Sequence, residues 1–392
     1  MLRLGHRLLR PGARKFLPRA SQSQRDCVLQ PRVDRNELPW VGGLRDLRDH
    51  PERVVACLDA LHACFIRQAF GITKALVFFC ISSASGAPTV ITEDFSINPA
   101  TRAWQTFGNT NLFRWNATNQ NLDVTWDSGQ PNSYFHLALP AVLARDDDFG
   151  FSFDLRLDDI AIGVNPQRPF SFQVALGFIN WQSATSTNLQ RGSGVNAVHG
   201  PRSVAEFDYF PDSGFGATIS PTIVSSNNQF ATGFDFPLEL DPGHIFHVEM
   251  NYTAATISLS TTMTRDGLSF GPIHDVVLGA SFTDFRLDQF AILSYSDEGA
   301  DGSLLAHGTI DNLVITTPAP PVETITGGFT NGTWQVRFDS RSNWLYSLQR
   351  TIDLSHWSPV STPVAGTGGQ MTLQDNAPPA AQAFYRIHAR RP

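Results

Sequence analysis

Phe149-Gly150-Phe151-Ser152-Phe153-Asp154-Leu155-Arg156-Leu157 alternates large apolar residues with small or polar ones. Successive side chains of a strand leave opposite faces, so this period of two predicts a strand with one face buried. The same alternation runs through Phe170, Phe172, Val174, Leu176 and Phe178. It recurs in Phe246, Val248, Met250 and Tyr252, set against His247, Glu249 and Asn251. Turn clusters separate such runs: Asp127-Ser128-Gly129, Asp241-Pro242-Gly243 and Arg265-Asp266-Gly267. No amphipathic helical pattern follows residue 88. Many strands joined by short turns predict an all-β protein, and residues 88–317 suit a jelly roll of two extensive antiparallel sheets.

Downstream, Thr317-Pro318-Ala319-Pro320-Pro321 interrupts the alternation. Proline cannot donate to a ladder, so 318–325 reads as a linker. A second β pattern occupies 326–392: Trp334, Val336 and Phe338, then Trp344, Tyr346 and Leu348, with Phe384-Tyr385-Arg386-Ile387 near the end. It predicts a small immunoglobulin- or fibronectin-like sandwich. The stretches YSLQRTIDLSHW (346–357) and FYRI (384–387) resemble C-terminal modules of large secreted bacterial proteins.

Upstream, the composition changes. Residues 1–87 hold 14 Lys+Arg against 7 Asp+Glu, whereas 88–392 hold 15 Arg, no Lys and 29 acids. That acidic remainder argues against a nucleic-acid partner, whose phosphates require basic patches. All four cysteines, Cys27, Cys57, Cys64 and Cys80, precede residue 88 at spacings too irregular for a zinc site. Lys74 is followed by the apolar run Ala75–Ile81 and the small residues Ser82–Ala87. A cation, an apolar run and a small-residue exit form an export signal, read here as 67–87. Residues 1–66 are Arg-rich and aperiodic, and read as a non-structural upstream segment; an organelle transit peptide is the alternative. The expectation is a secreted or cell-surface protein without a membrane span after cleavage. N-terminal sequencing of exported protein should begin at Ser85 or Pro88; a mature chain starting near Met1 would refute the export reading.

One strand breaks the ordinary economy of polar and apolar positions. In Val204-Ala205-Glu206-Phe207-Asp208-Tyr209-Phe210-Pro211-Asp212, Glu206 and Asp208 share one face and Phe207 and Tyr209 the other. Two carboxylates at i and i+2 stand ~6.6 Å apart along a strand. Close like charges raise each other's proton affinity unless a cation or a proton lies between them. The pair therefore suggests a metal site or a catalytic pair, against the alternative of two solvated acids.

SVAEFDYFPD (203–212) resembles the signature strand V-A-V-E-[FL]-D-T-[FY]-x-N of legume-type lectins, within the concanavalin A-like lectin/glucanase superfamily. FHVEMNYTAATISLSTTM (246–263), FTDFRLDQFAILSYS (282–296) and GTIDNLVI (308–315) resemble later strands of such sandwiches. The resemblance implies a carbohydrate-binding protein recognising an extracellular glycan. It implies metal ligation by Glu206, Asp208, the Phe210 carbonyl and Asp212. Ala217 and Thr222 stand where the family carries a further Asp and a His, which removes the transition-metal ligands and leaves calcium as the possible cofactor. The glycines of Ser213-Gly214-Phe215-Gly216 would let that loop bend over an ion.

Laminarinase-like relatives use E-x-D-x-E or E-x-D-x-x-E, whose last Glu is the acid/base. Here that position falls on Phe210 or Pro211, neither of which transfers a proton. A glycoside hydrolase or polysaccharide lyase with Glu206 and Asp208 in its cleft, completed by a distant acid such as Glu239 or Glu249, is the alternative to a lectin. A structural surface protein is the third reading. Candidate sugar contacts are Trp126 with Asp127, Asn132 with Tyr134, and Asn180 with Trp181, aromatics beside hydrogen-bonding groups. The histidines show no ligand spacing, and Asp146-Asp147-Asp148 reads as a solvated turn.

Overall fold

The structure is a computed structural model that describes residues 87–194, 197–380 and 382–392. The upstream segment, residues 67–86 of the stretch read as an export signal and the four cysteines lie outside the described residues. What is described is all-β apart from a one-turn helix at Trp181–Ala184 and three short 3-10 turns.

Two antiparallel sheets, of nine and eight strands among the described residues, form the large sandwich; seven strands of each lie on one path, and Thr89–Glu93 and Val276–Val277 join the first sheet and Thr218–Ile219 the second off those paths. The first sheet runs, edge to edge, Leu268–Phe270, Ser258–Arg265, Phe246–Thr253, Phe149–Ile162, Leu304–Thr317, Asn121–Asp127, Phe113–Asn116. The second runs Phe230–Thr232, Thr222–Val224, Val204–Phe210, Val174–Ile179, Leu287–Ser294, Ser133–Leu143, Gln105–Phe107. Sequence neighbours such as Asn121–Asp127, Ser133–Leu143 and Phe149–Ile162 fall in alternating sheets, so the chain crosses the core repeatedly. This is the expected jelly-roll sandwich.

The alternation places the core. Phe149, Phe151, Phe153, Leu155 and Leu157 are all buried, as are Phe246, Val248, Met250 and Tyr252. Aromatic rings meet edge-on across the gap between the sheets: Phe149 on Phe178 at 5.2 Å, Phe151 on Phe290 at 5.1 Å, Phe153 on Phe207 at 5.7 Å. Each such side chain contributes ~1.5–3 kcal/mol by leaving water. The Arg265-Asp266-Gly267 cluster is a tight hairpin turn, with Asp266 at φ 50° and Gly267 at φ 80°. Two successive left-handed residues match the twist of the flanking strands.

Phe170 departs from expectation. It is 68% exposed, and the strand begins only at Val174. Pro166 and Pro169 cannot supply ladder donors, and the segment instead turns at Asn165–Arg168 and lies against Asp301–Ser303.

Beyond Thr317, Val322–Thr330, Thr333–Ser340 and Gln370–Asp375 form a three-stranded sheet. Leu345–Thr351 pairs with Ser358–Pro359, Val364–Ala365 and Phe384–Arg390 in a second one. Strand pairing thus starts at Val322, inside the segment read as linker. Val336, Phe338, Trp344, Tyr346, Leu348, Met371 and Leu373 form their shared core, and Ala141 of the large sandwich joins it.

The acidic triplet is only partly a solvated turn. Asp146 and Asp148 are exposed, but Asp147 is buried between two arginines of the C-terminal region. Arg341 Nη2 reaches its Oδ1 at 2.8 Å, Arg391 Nη2 pairs with its Oδ2, and the Ala144 N–H donates to Oδ2 at 2.9 Å. The Arg391 guanidinium also lies 4.5 Å from the Trp344 ring. A buried carboxylate needs such compensation, and these cations come from 194 and 244 residues downstream.

Candidate functional site

Strand register puts Glu206 in a row with Gly177, Ala291 and His136 across the second sheet. Asp208 shares the next row with Ala175, Leu293 and Tyr134. Both rows lie on the face turned away from the core, because Phe207 and its partners Leu176 and Ile292 point inward. Three small residues, Gly177, Ala175 and Ala291, leave a shallow trough. A side chain at 177 would meet the Ala205 carbonyl oxygen at 2.3 Å.

Residues 180–194 and 197–203 cover this trough, so Glu206 and Asp208 are buried, at 0% and 1% exposure. Several contacts hold it down. Tyr134 donates to the Ala184 carbonyl at 3.0 Å, and Asn132 Nδ2 to the Leu189 carbonyl at 3.1 Å. The Trp181 N–H donates to Asp288 at 2.7 Å, and its ring lies 4.1 Å from that of His136.

The central contact is Arg191. Its Nε donates to Glu206 Oε1 at 2.7 Å, and its Nη2 bonds both Glu206 Oε1 and, at 3.0 Å, Asp208 Oδ2. The guanidinium carbon is 5.7 Å from the Tyr295 ring centroid and 5.9 Å from that of Phe230. Tyr295 donates its hydroxyl proton to Glu206 Oε2 at 2.9 Å. Burial, and then the Glu206 charge, push the Asp208 carboxyl well above the usual range, against the pull of Arg191. Burial works against the Arg191 charge, yet Glu206 and then Asp208 hold its pKa above the ordinary value. Burial and the Glu206 charge likewise raise Tyr295, which stays a donor. One cation between two acids leaves one acid better off protonated.

The implied metal ligands are therefore not arranged as a metal site. The guanidinium occupies the space between the carboxylates. Asp208 Oδ1 is the one oxygen of the pair without a partner among the described residues. Calcium needs six to eight oxygens. Thr222 lies in register with Glu206, and its hydroxyl, which bonds the Ser220 carbonyl at 3.0 Å and the Thr232 hydroxyl at 2.9 Å, also helps to stabilise the Asp208 carboxylate. Asp212 is exposed beyond Pro211 and accepts the Gly214 N–H at 2.9 Å, away from the pair. Phe210 pairs with Thr218 at the end of its strand. Among the described residues no three His, Cys, Asp or Glu side chains cluster to hold an ion. The Ser213–Gly216 loop does turn sharply, with Gly214 at φ 86° and Gly216 at φ 105°. It presents Phe215, stacked on Phe236 at 5.4 Å and exposed, rather than closing over a cation.

The catalytic alternative meets the same obstacle. A glycosidic bond cannot reach carboxylates that are buried and held by Arg191 and Tyr295. Glu239 and Glu249 are exposed, and Glu249 sits on the first sheet, across the core.

Of the proposed sugar contacts, Asn132, Tyr134, Asn180 and Trp181 come together, but mainly as fastenings. Tyr134 is fully buried, Asn132 also accepts the Ser296 N–H at 2.9 Å, and Asn180 caps the one-turn helix through the Ser183 N–H at 3.0 Å. Trp126 is buried in the first sheet's core face, and Asp127 closes its own turn on the Gly129 N–H.

The outer surface of the covering segment does form a cleft, of about 570 Å³. Asn180, Ser183, Asn188, His199, Arg202 and Arg286 are among its lining residues. Arg286 pairs with Asp284, whereas Arg202 is exposed and makes no ion pair among the described residues. Of this set, sequence reasoning had singled out Asn180 alone. The remainder carries no local motif, because the cleft is assembled by the fold of 180–203 onto the sheet.

No protein-family model matches the chain, and no curated protein does. Solved structures similar to it include peanut lectin with a nine-residue peptide, at 15% identity and TM-score 0.36, covering 60% of this chain and 100% of that one. Lectin UEA-II complexed with galactose matches at 13% identity and TM-score 0.37, over 58% and 98% of the two chains. Lotus tetragonolobus seed lectin matches at 13% identity and TM-score 0.37, over 60% and 100%.

Among the described residues no helix is long and apolar enough to cross a membrane.

Proposed function

We propose that this chain is a secreted, non-catalytic carbohydrate-binding protein whose ligand lies in the cleft on the outer surface of 180–203. The cleft carries this reading. Its lining combines amide, hydroxyl, imidazole and guanidinium groups with two apolar side chains, Leu189 and Val198. Amides and hydroxyls both donate and accept, as the vicinal hydroxyls of a sugar require. Strand 203–212 adds the lectin-like resemblance, and the reading of residues 67–87 as an export signal supports a ligand outside the cell. The burial of Glu206 and Asp208 disfavours hydrolysis.

A glycan array probed with the full chain tests the reading. Asn188→Ala and Arg202→Ala should each weaken binding about tenfold, the loss of one polar contact worth ~1.4 kcal/mol. No bound glycan, or turnover of a polysaccharide that Glu206→Gln abolishes, would overturn it. Unchanged affinity in both variants would move the ligand out of this cleft.

A further inference from the structure

We infer that Arg191 does in this chain the work of a bound divalent cation, so that the segment walling the cleft is fixed without a metal. The last clause rests on the carbohydrate-binding reading; the first does not.

The argument begins with the charges. Two carboxylates two residues apart on one strand face, both shielded from water, demand a positive charge. Arg191 supplies it, with an 8% exposed side chain and three contacts to the pair. A planar fork of donors matches carboxylate oxygens and stacks against aromatic rings, which suits Arg here better than a hydrated ion. The rings of Phe230 and Tyr295 flank it, and the Tyr295 hydroxyl takes up Glu206 Oε2. With those bonds made, a single carboxylate oxygen remains, and an ion entering beside it would stand against a guanidinium held 3.0 Å from the same carboxyl group.

The geometry also explains what the cation accomplishes. Arg191 sits at Arg191–Ser193, between the two stretches that line the cleft, 180–189 and 198–203. The adjacent Gln190 N–H donates to the His199 carbonyl at 2.9 Å, which joins those stretches. The ion pair therefore fastens both walls to the sheet at one point. Arg191 is a positioning residue: it touches the carboxylates, not the ligand.

The test uses the purified full chain, elemental analysis for metals, and melting with EDTA or with millimolar calcium chloride. The expected result is no stoichiometric metal and one melting temperature in both conditions. A ligand present far above its dissociation constant would raise that temperature by several degrees. Such a rise with calcium, or a stoichiometric metal whose removal lowers melting, would overturn the inference. Neither measurement involves a sugar, so failure to find a glycan would sink the functional reading and leave this one standing. For any glycan that binds, affinity should be the same with and without EDTA; a loss with EDTA would count against the inference. Hydrogen exchange on Arg191→Met should show lost protection concentrated in 180–194, and protection unchanged there would also count against it.

Discussion

Arg191→Met should lower the unfolding free energy at neutral pH by about 3–5 kcal/mol, the cost of leaving a buried charge uncompensated. Met fills much of the volume, so a cavity contributes little. The loss comes from Glu206 and Asp208, whose carboxyls are then left without a cation in a site closed to water. Neutralising them should restore most of it: the triple variant with Glu206→Gln and Asp208→Asn should lie closer to the parent than Arg191→Met does. Urea denaturation followed by tryptophan fluorescence measures all three. A loss below about 1 kcal/mol for Arg191→Met would show that water or a solute ion already compensates the pair.

The pH dependence has a definite sign. Asp208 has a folded pKa raised above its unfolded value, by burial and then by Glu206. The folded state therefore holds that proton more tightly, and stability from this group is fully present below the unfolded pKa of 3.8. It is lost as pH rises through the folded value. Asp208→Asn imitates the protonated form and should remove this slope while costing little near pH 4. In Arg191→Met the slope should steepen, because the cation that opposes protonation of Asp208 is gone. A variant whose deficit is the same at pH 5 and pH 7 would contradict this account.

Asp147→Ala should have the second large effect, about 3 kcal/mol, expressed as loosening of the C-terminal sheets from the sandwich. Arg391, with a 6% exposed side chain, would keep only exposed Asp146 as a carboxylate partner, and Arg341 would lose its buried one. The figure sits at the low end because burial raises the Asp147 carboxyl more than Arg391 and Arg341 lower it. The clamp is already costly to form. Limited proteolysis should find earlier cleavage around 318–321, and calorimetry should show the C-terminal transition at lower temperature. Unchanged melting and unchanged cleavage would mean that the Ala141 contact, not the ion cluster, joins the two parts.

The sandwich was legible because its information is local. Phe149 to Leu157 and Phe246 to Tyr252 display their buried face within one strand, and Asp266-Gly267 displays its turn within two residues. The site was half legible. Glu206 and Asp208 stood out because two acids among core residues require an explanation. Their partner did not, since Arg191 lies fifteen residues away through a segment without periodicity. The absence of lysine after residue 88 narrows the candidates to 15 arginines but singles out none. Tyr134 and Trp126 misled for a related reason: an aromatic beside an amide or acid looks alike whether it faces a ligand or fastens a loop. Asp147 was misread because its cations arrive from Arg341 and Arg391, beyond any local window.

The guanidinium that closes the Glu206 pair is covalently part of the chain, and that sets the terms on which the surface above it works. A dissociable ion obeys mass action, so a site built on one loosens when its surroundings are diluted, chelated or depleted. A tethered group has an effective concentration fixed by the chain itself. The covering segment is thus committed when the protein folds, and its shape is indifferent to the mineral content of the medium. On this inference the surface does not answer to calcium supply; the environmental control left to it is acidity, through the raised Asp208 carboxyl.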